Sequence, residues 1–221
     1  MKTPLISIII PTYELYGEGV YYLHNALNSV FIQTYKDYEV VISDHSMDDK
    51  IETFVKSLDK GIIYDRYDKK RGNPSANLNN AISLSSGEII KPLFQDEMFY
   101  SDLTLQCFVD ALQKSQWAAC GRRENGQSFI PIFTRSIRTG KNKLSSPTCI
   151  AYRRNKFRWD ESLIWMLDCD FYYRLYQKYG LPKIISYPLV CIKPHKYQLT
   201  NTISWDDKMK EKQVMERRYG H

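Results

Sequence analysis

The stretch Ile89-Ile90-Lys91-Pro92-Leu93-Phe94-Gln95-Asp96-Glu97-Met98 decides the fold. A mostly apolar run leads up to two adjacent carboxylates, and the sequence turns loop-like after them. Read as a buried strand, the run puts Asp96 and Glu97 at its carboxyl end, the edge where ligands of open α/β sheets collect. Hard divalent cations and the phosphates they carry need oxygen ligands there. That makes Asp96 a candidate metal ligand. The plain alternative is a solvated turn after a strand.

Working back from that stretch, Leu5 to Ile10 is a near-continuous run rich in β-branched residues. It reads as a strand buried on both faces and stopped by Pro11. Val20, Leu23, Leu27, Val30 and Phe31 recur at helical spacing. Tyr38 to Ser43 reads as a second strand, followed by the polar loop Asp44-His45-Ser46-Met47-Asp48-Asp49. Ile51, Phe54, Val55 and Leu58 form the next helical stripe, and Gly61 to Tyr64 a third strand. Asn73-Pro74 is a helix start, with Asn as cap and Pro at the first position. Strand alternates with helix through the first half, the pattern of a mostly parallel α/β sheet flanked by helices. No G-x-G-x-x-G follows the first strand.

Working forward, Ser101 opens a helix carrying Leu105, Phe108, Val109 and Leu112. Trp117 to Gly121 and Phe129 to Phe133 read as short strands around a turn, and Thr148 to Tyr152 as another. Asp168 to Tyr179 reads as a helix closed by Gly180 and Pro182. Lys183 to Cys191 reads as a further strand. The second half is thus a small antiparallel addition. The tail from Asp206 mixes Lys and Arg with acids and reads as a solvated helix, with docking to a partner or membrane as the alternative. We treat residues 1–221 as one domain: 1–100 a nucleotide-binding half, 101–205 an acceptor-binding half, 206–221 a charged tail.

Composition bounds the class. The chain has 221 residues, 43% apolar and 25% charged, ordinary for a globular protein. The net charge of +6 suits an anionic ligand such as a nucleotide. Five Cys, an odd number with no C-x-x-C, argue against a disulfide framework and for a reducing compartment. No apolar run approaches the length that spans a bilayer. Met1-Lys2-Thr3-Pro4 runs into an apolar segment too short for a signal peptide. The expectation is a cytoplasmic protein.

Several residues have two readings each. Asp44 and Asp48 suit a base or ribose as carboxylate acceptors, while Ser46 to Asp49 also matches a capping box. Arg71, just before the helix at Asn73, suits phosphate or a base, or is a surface Arg. Asp168 suits a general base or an N-cap. Asp170 and Arg174 are spaced for a helical ion pair. His195 suits a metal site or an ordinary loop.

Taken together and in order, these stretches resemble family 2 inverting glycosyltransferases of the GT-A fold. Ser7-Ile8-Ile9-Ile10-Pro11-Thr12-Tyr13 is similar to that family's opening strand and loop. Val41 to Asp48 is similar to its base-binding loop. Asn73 to Asn79, then Gly87-Glu88-Ile89-Ile90 leading to Phe94-Gln95-Asp96-Glu97, is similar to the approach to its D-x-D motif. Phe157 to Glu161 with Leu167-Asp168-Cys169-Asp170 is similar to its E-D region. Three motif acids differ: Ser43, Phe94 and Leu167 stand where the family usually has Asp, Asp and Glu.

The resemblance implies a metal-dependent, inverting transfer of sugar from a nucleotide-sugar donor, by preference a UDP-sugar, to a glycan or other hydroxyl acceptor. It implies Asp168 as the catalytic base and Asp96 with His195 at Mn²⁺ or Mg²⁺. Pro11, Tyr13, Asp44, Arg71 and Gln95 fall to the nucleotide, and Trp165 and Asp170 to the acceptor, with Trp159 and Tyr172 as further candidates for an acceptor platform. No nucleic-acid partner is expected, and peripheral membrane contact is assigned to the tail. The rival readings are a nucleotide- or nucleic-acid-binding module, a degenerate transferase that binds without turnover, and a sugar-1-phosphate nucleotidyltransferase. The last lacks its Gly-rich, basic loop after the first strand.

Overall fold

The apolar run near the start forms β1, Ile6–Thr12, paired on both sides in a computed structural model that describes residues 5–220. The opening Met1-Lys2-Thr3-Pro4, on which the signal-peptide reading rests, lies outside the described residues. β2, Tyr38–Asp44, runs parallel to β1 on one side, and β4, Ile89–Pro92, runs parallel on the other. β3, Ile63–Arg66, extends the sheet beyond β2. Alternation sorts β1 between two cores. Ile6, Ile8 and Ile10 pack with Leu27 and Val30 of α1 (Gly19–Phe31) and Ile51 and Val55 of α2 (Lys50–Ser57). Ile9 faces the other way, with Leu78 and Ala81 of α3 (Pro74–Leu84).

β1 continues through Pro11 rather than stopping there, with Pro11 opposite Ser43. The carbonyls of Leu5 and Ile9 accept bonds from Ile89 and Leu93, so odd-numbered β1 residues face β4. The β1–β4 pairing ends at Ile9 opposite Pro92, so the missing N–H of Pro11 falls beyond the ladder.

The second half adds strands of mixed sense. β5 (Glu97–Phe99), β6 (Trp117–Glu124), β7 (Gln127–Phe129), β8 (Ile150–Arg153) and β9 (Lys183–Ile192) complete the order β3-β2-β1-β4-β8-β6-β9-β5, with β7 on β6. β8 is antiparallel to β4 and β6, while β9 is parallel to β6. The β6–β7 hairpin turns at Asn125-Gly126, both with positive φ, the two-residue turn that Asn-Gly favours. β8 starts only at Ile150, because Pro147–Cys149 forms a 3-10 turn capped by the Ser146 hydroxyl.

α4 spans Thr104–Leu112 and α5 Leu167–Tyr179, and a short α6 (Leu199–Thr202) precedes α7 (Trp205–Tyr219). α7 is not a purely solvated tail: Met215 is fully buried, and Glu211 nearly so. The Glu211 carboxylate accepts the backbone N–H groups of Ile164, Trp165 and Met166 at 2.7–2.9 Å, just ahead of α5. Orphan donors at a helix start need such a partner.

Candidate active site

The chain lays β2 and β3 on one side of β1, then crosses through α3 to place β4 on the other. The carboxyl ends of β1 and β4 therefore meet at a switch point of the sheet, where a crevice opens. Leu93 to Asp96 leave β4 there. The Gln95 side chain, 3% exposed, accepts the Tyr13 N–H at 2.7 Å and donates to the Tyr13 carbonyl at 3.0 Å. One amide thus binds both backbone groups of a residue in the β1 loop.

Asp96 follows, and its Oδ2 lies 2.8 Å from His195 Nε2. The Tyr197 N–H donates to His195 Nδ1 at 3.3 Å, which leaves Nε2 as the protonated nitrogen that donates to Asp96. Tyr22 packs its ring on His195 with centroids 4.9 Å apart. Glu97 turns to the Ser146 hydroxyl, which donates at 2.6 Å. Burial, and then the charge of Asp96, push the Glu97 carboxyl up to about 8.

A second part of the site comes from the start of α5. Asp168 Oδ2 accepts from Asn142 Nδ2 at 2.6 Å, and Oδ1 from the Cys169 N–H at 2.7 Å. Asp168 is not the N-cap: Met166 is, and the carboxylate that serves the neighbouring N–H groups is Glu211. Burial raises the Asp168 pKa, opposed by the Asn142 donor and the Cys169 N–H. Asp96, Glu97, Asn142, Trp165 and Asp168 all line one cleft of about 310 Å³, as do Gln198, Leu199 and Thr200. Carboxylates 72 positions apart in sequence (168 − 96) thus share a cavity.

The other candidates divide. Tyr13 is 38% exposed at the end of β1, with burial and the charge of Asp96 raising its pKa. Pro11 is half-buried beside it. Asp44 is fully buried, and its carboxylate is already engaged: Ser46 N–H and Oγ and Thr12 Oγ1 donate to Oδ1, and Tyr64 OH to Oδ2. Ser46 is therefore spent on Asp44, and the Ser46–Asp49 capping box does not form; Asp49 makes no side-chain cap bond. His45 stacks on Tyr67, and Arg71, exposed, is close enough for its charge to act with burial in lowering the His45 pKa.

Asp170 is fully buried and does not line the cleft. Arg174, Arg218 and the Tyr219 hydroxyl hold it, so the helical ion pair with Arg174 forms. Trp159 and Tyr172 are core residues, Trp159 stacked on Phe171 at 4.0 Å. Of the aromatics considered for the acceptor, Trp165 lines the cleft, with the Lys208 ammonium over its ring.

A divalent cation held by Asp96 Oδ2 and His195 Nε2, 2.8 Å apart, would have to displace the Nε2 proton, since a ligating imidazole nitrogen is bare. No group of three or more His, Cys, Asp and Glu able to hold a metal occurs among the described residues. Phosphate oxygens and water would complete the coordination, the usual way Mg²⁺ and its analogues sit on substrate phosphates.

Comparison with known proteins agrees with this architecture. The family described as glycosyl transferase family 2 matches residues 7–185. The chain belongs to that family, and its fold is GT-A. An uncharacterized glycosyltransferase of Rickettsia typhi is 35% identical over 98 residues, covering 44% of this chain and 29% of that protein. The crystal structure of S. aureus TarS 1-349 in complex with UDP-GlcNAc superposes with TM-score 0.72 at 18% identity, covering 96% of this chain and 66% of that one. The mannosyltransferase PcManGT from Pyrobaculum calidifontis, in complex with GDP-Man and Mn²⁺, gives TM-score 0.57 at 17% identity, covering 89% and 56%. The chain spans between 14% and 34% of the length of the curated relatives it matches. No helix among the described residues is long and apolar enough to cross a membrane.

Sequence reasoning missed Asn142, Ser146 and Glu211, all of which hold site residues. Asn142 and Ser146 lie in the loop before β8, and only the fold brings them to Asp168 and Glu97. The one hint for Glu211 was an acid on a helix whose neighbours are largely basic.

Proposed function

We propose that the chain transfers a glycosyl group from a nucleotide-sugar, by preference a UDP-sugar, to a hydroxyl acceptor such as a growing glycan, inverting the anomeric centre. The observation that carries this reading is that Asp96 and Asp168, far apart in sequence, line one cleft. Family membership and a UDP-GlcNAc complex on the same fold support it.

Asp96 and His195 would hold Mn²⁺ or Mg²⁺ against the donor diphosphate. The imidazole, as the softer donor, tilts the choice toward Mn²⁺. When bound, such an ion supplies Lewis-acid stabilisation of the departing diphosphate. Pro11, Tyr13 and Arg71 flank the nucleotide. Asp44 shapes the loop beneath the base through the bonds it makes to Thr12, Ser46 and Tyr64. Gln95 ties that wall to Asp96 through Tyr13.

The acceptor lies along Trp165. Asp168 takes its hydroxyl proton as the oxygen attacks the anomeric carbon and the bond from that carbon to the diphosphate oxygen breaks. One displacement leaves the sugar inverted and the carboxyl protonated. A partly desolvated carboxylate with a raised pKa is a better proton acceptor than an exposed one.

The test is a panel of nucleotide-sugars with Mn²⁺ or with chelator, read for release of free nucleotide and by NMR for the product anomer. Expected is release that needs metal, is lost in Asp96→Ala, and falls by ~10²–10⁴-fold in Asp168→Asn with donor binding kept. Donor binding without turnover under every condition would make the chain a binding module or a degenerate transferase. A product with retained configuration would reject the single displacement.

A further inference from the structure

From Asn125 to Trp159 the chain carries eight Lys and Arg and no Asp or Glu. Some of these cations are used internally: Arg153 and Arg154 donate to the carbonyls of Leu112 and Gly87. The outer part of the run is organised differently. Ile132 donates its N–H to the Lys143 carbonyl at 3.1 Å, so two extended segments lie side by side.

Each segment alternates. In Ile130-Pro131-Ile132 the Pro is buried, while the two Ile side chains are 60% and 55% exposed. In Lys141-Asn142-Lys143 the Asn turns inward to Asp168, while both Lys are exposed. Neither Lys has a carboxylate partner among the described residues. Phe129, also exposed, ends β7 beside Ile130 with the Arg122 guanidinium 4.4 Å from its ring.

A single exposed Ile needs no explanation. Two on one strip, beside unpaired lysines in a run without acids, are a different matter. Apolar side chains that reach the boundary between headgroups and acyl chains, flanked by cations, are what binds a protein to the surface of a bilayer. An anionic leaflet attracts each nearby Lys or Arg, and an acid in the run would cancel that. Single-stranded nucleic acid fits less well, since it calls for aromatic platforms, and aliphatic side chains dominate this strip. α7 is a weaker candidate for membrane contact, because its first turn is acidic and part of one face is buried through Glu211 and Met215.

We propose that the face formed by Phe129, Ile130, Ile132, Lys141 and Lys143 docks on a bilayer containing anionic phospholipid. The inference is independent of the reaction assigned above. It has a geometric corollary: Asn142, which lies between the docking lysines, holds Asp168, so docking would set the cleft's Asp168 wall close to the membrane plane.

The test sediments the full chain with vesicles of phosphatidylcholine alone or with added phosphatidylglycerol. Expected is binding at least about tenfold tighter with phosphatidylglycerol, weakened by salt, and reduced about tenfold or more in Lys141→Glu/Lys143→Glu. Ile130→Ser/Ile132→Ser should also lose binding, with the melting temperature and donor affinity of both variants unchanged. Equal binding to both vesicle types, or wild-type binding by either variant, overturns the proposal. So does binding lost instead in Lys212→Glu/Arg217→Glu on α7. Dissociation of a dimer by Ile130→Ser/Ile132→Ser, without vesicle binding by the wild type, would make the occupant a second copy of the chain.

Discussion

Asn142 donates to Asp168 Oδ2 at 2.6 Å while its own carbonyl oxygen accepts the N–H groups of Leu144 and Ser145. The side chain is locked at both ends, so the carboxylate it meets has a fixed orientation. Asn142 favours the ionised form of Asp168 against the burial that disfavours it. Asn142→Ala therefore raises the Asp168 pKa further. A base must be deprotonated to act, so the acid limb of the rate profile moves to higher pH. Losing a hydrogen bond to a charged group costs about 1.5–3 kcal/mol, so turnover below that limb should fall ~10-fold or more, with a smaller loss above it. A uniform loss at every pH would assign Asn142 to folding alone.

Asp96 and His195 are expected to act together on the cation. Asp96→Ala should abolish the rise in melting temperature that UDP with Mn²⁺ gives, while UDP alone binds as before. His195→Ala should weaken Mn²⁺ by about tenfold, whether the imidazole ligates or only orients Asp96. Calorimetric titration of Mn²⁺ in the presence of UDP checks both variants, and unchanged affinity in His195→Ala would remove it from the site.

Glu211 joins the end of the chain to the start of α5. Glu211→Ala leaves three buried or half-buried N–H groups without their carboxylate. The expected cost is about 2 kcal/mol, at the upper end for a helix cap, or a fall of roughly 4–8 °C in melting temperature for a chain of this size. Glu216→Gln, exposed on the same helix, should melt like wild type.

Trp165 lines the cleft with Asp168, whereas Pro11, Tyr13, Asp44, Arg71 and Gln95 do not. Trp165→Ala should raise KM for the acceptor by about tenfold and leave donor affinity unchanged, as expected where stacked apolar area on a substrate is lost. Steady-state kinetics with each substrate varied in turn would show it, and a change confined to donor KM would reverse the assignment.

The sheet was legible because its strands are local signals. Ile6 to Ile10 and Val40 to Ile42 are apolar runs that suit strands covered on both faces, and Asn73-Pro74 announces α3, where Asn73 accepts the Ala76 N–H as a cap should. Local patterns misled where side chains had a stronger distant or strand-end partner. Ser46 looks like half of a capping box but binds Asp44. Pro11 looks like a stop but sits where only the β1–β4 ladder has ended, while pairing with β2 continues. The tail looks solvated because its mean hydropathy hides one buried Met and one buried Glu. At the site, Asp96 and Asp168 stood out as acids at the ends of patterned segments. Asn142 and Ser146 did not, since nothing in a polar loop reveals which carboxylate it will meet after folding.

The double bond between Gln95 and the Tyr13 peptide has a mechanical consequence. It fuses the loops leaving two neighbouring strands into a single bracket, so Gln95, and Asp96 beside it, cannot retreat from the β1 loop without breaking both bonds. The short helix α6 has no buried residue to anchor it, so of the residues that line the cleft Leu199 and Thr200 are the freest to move.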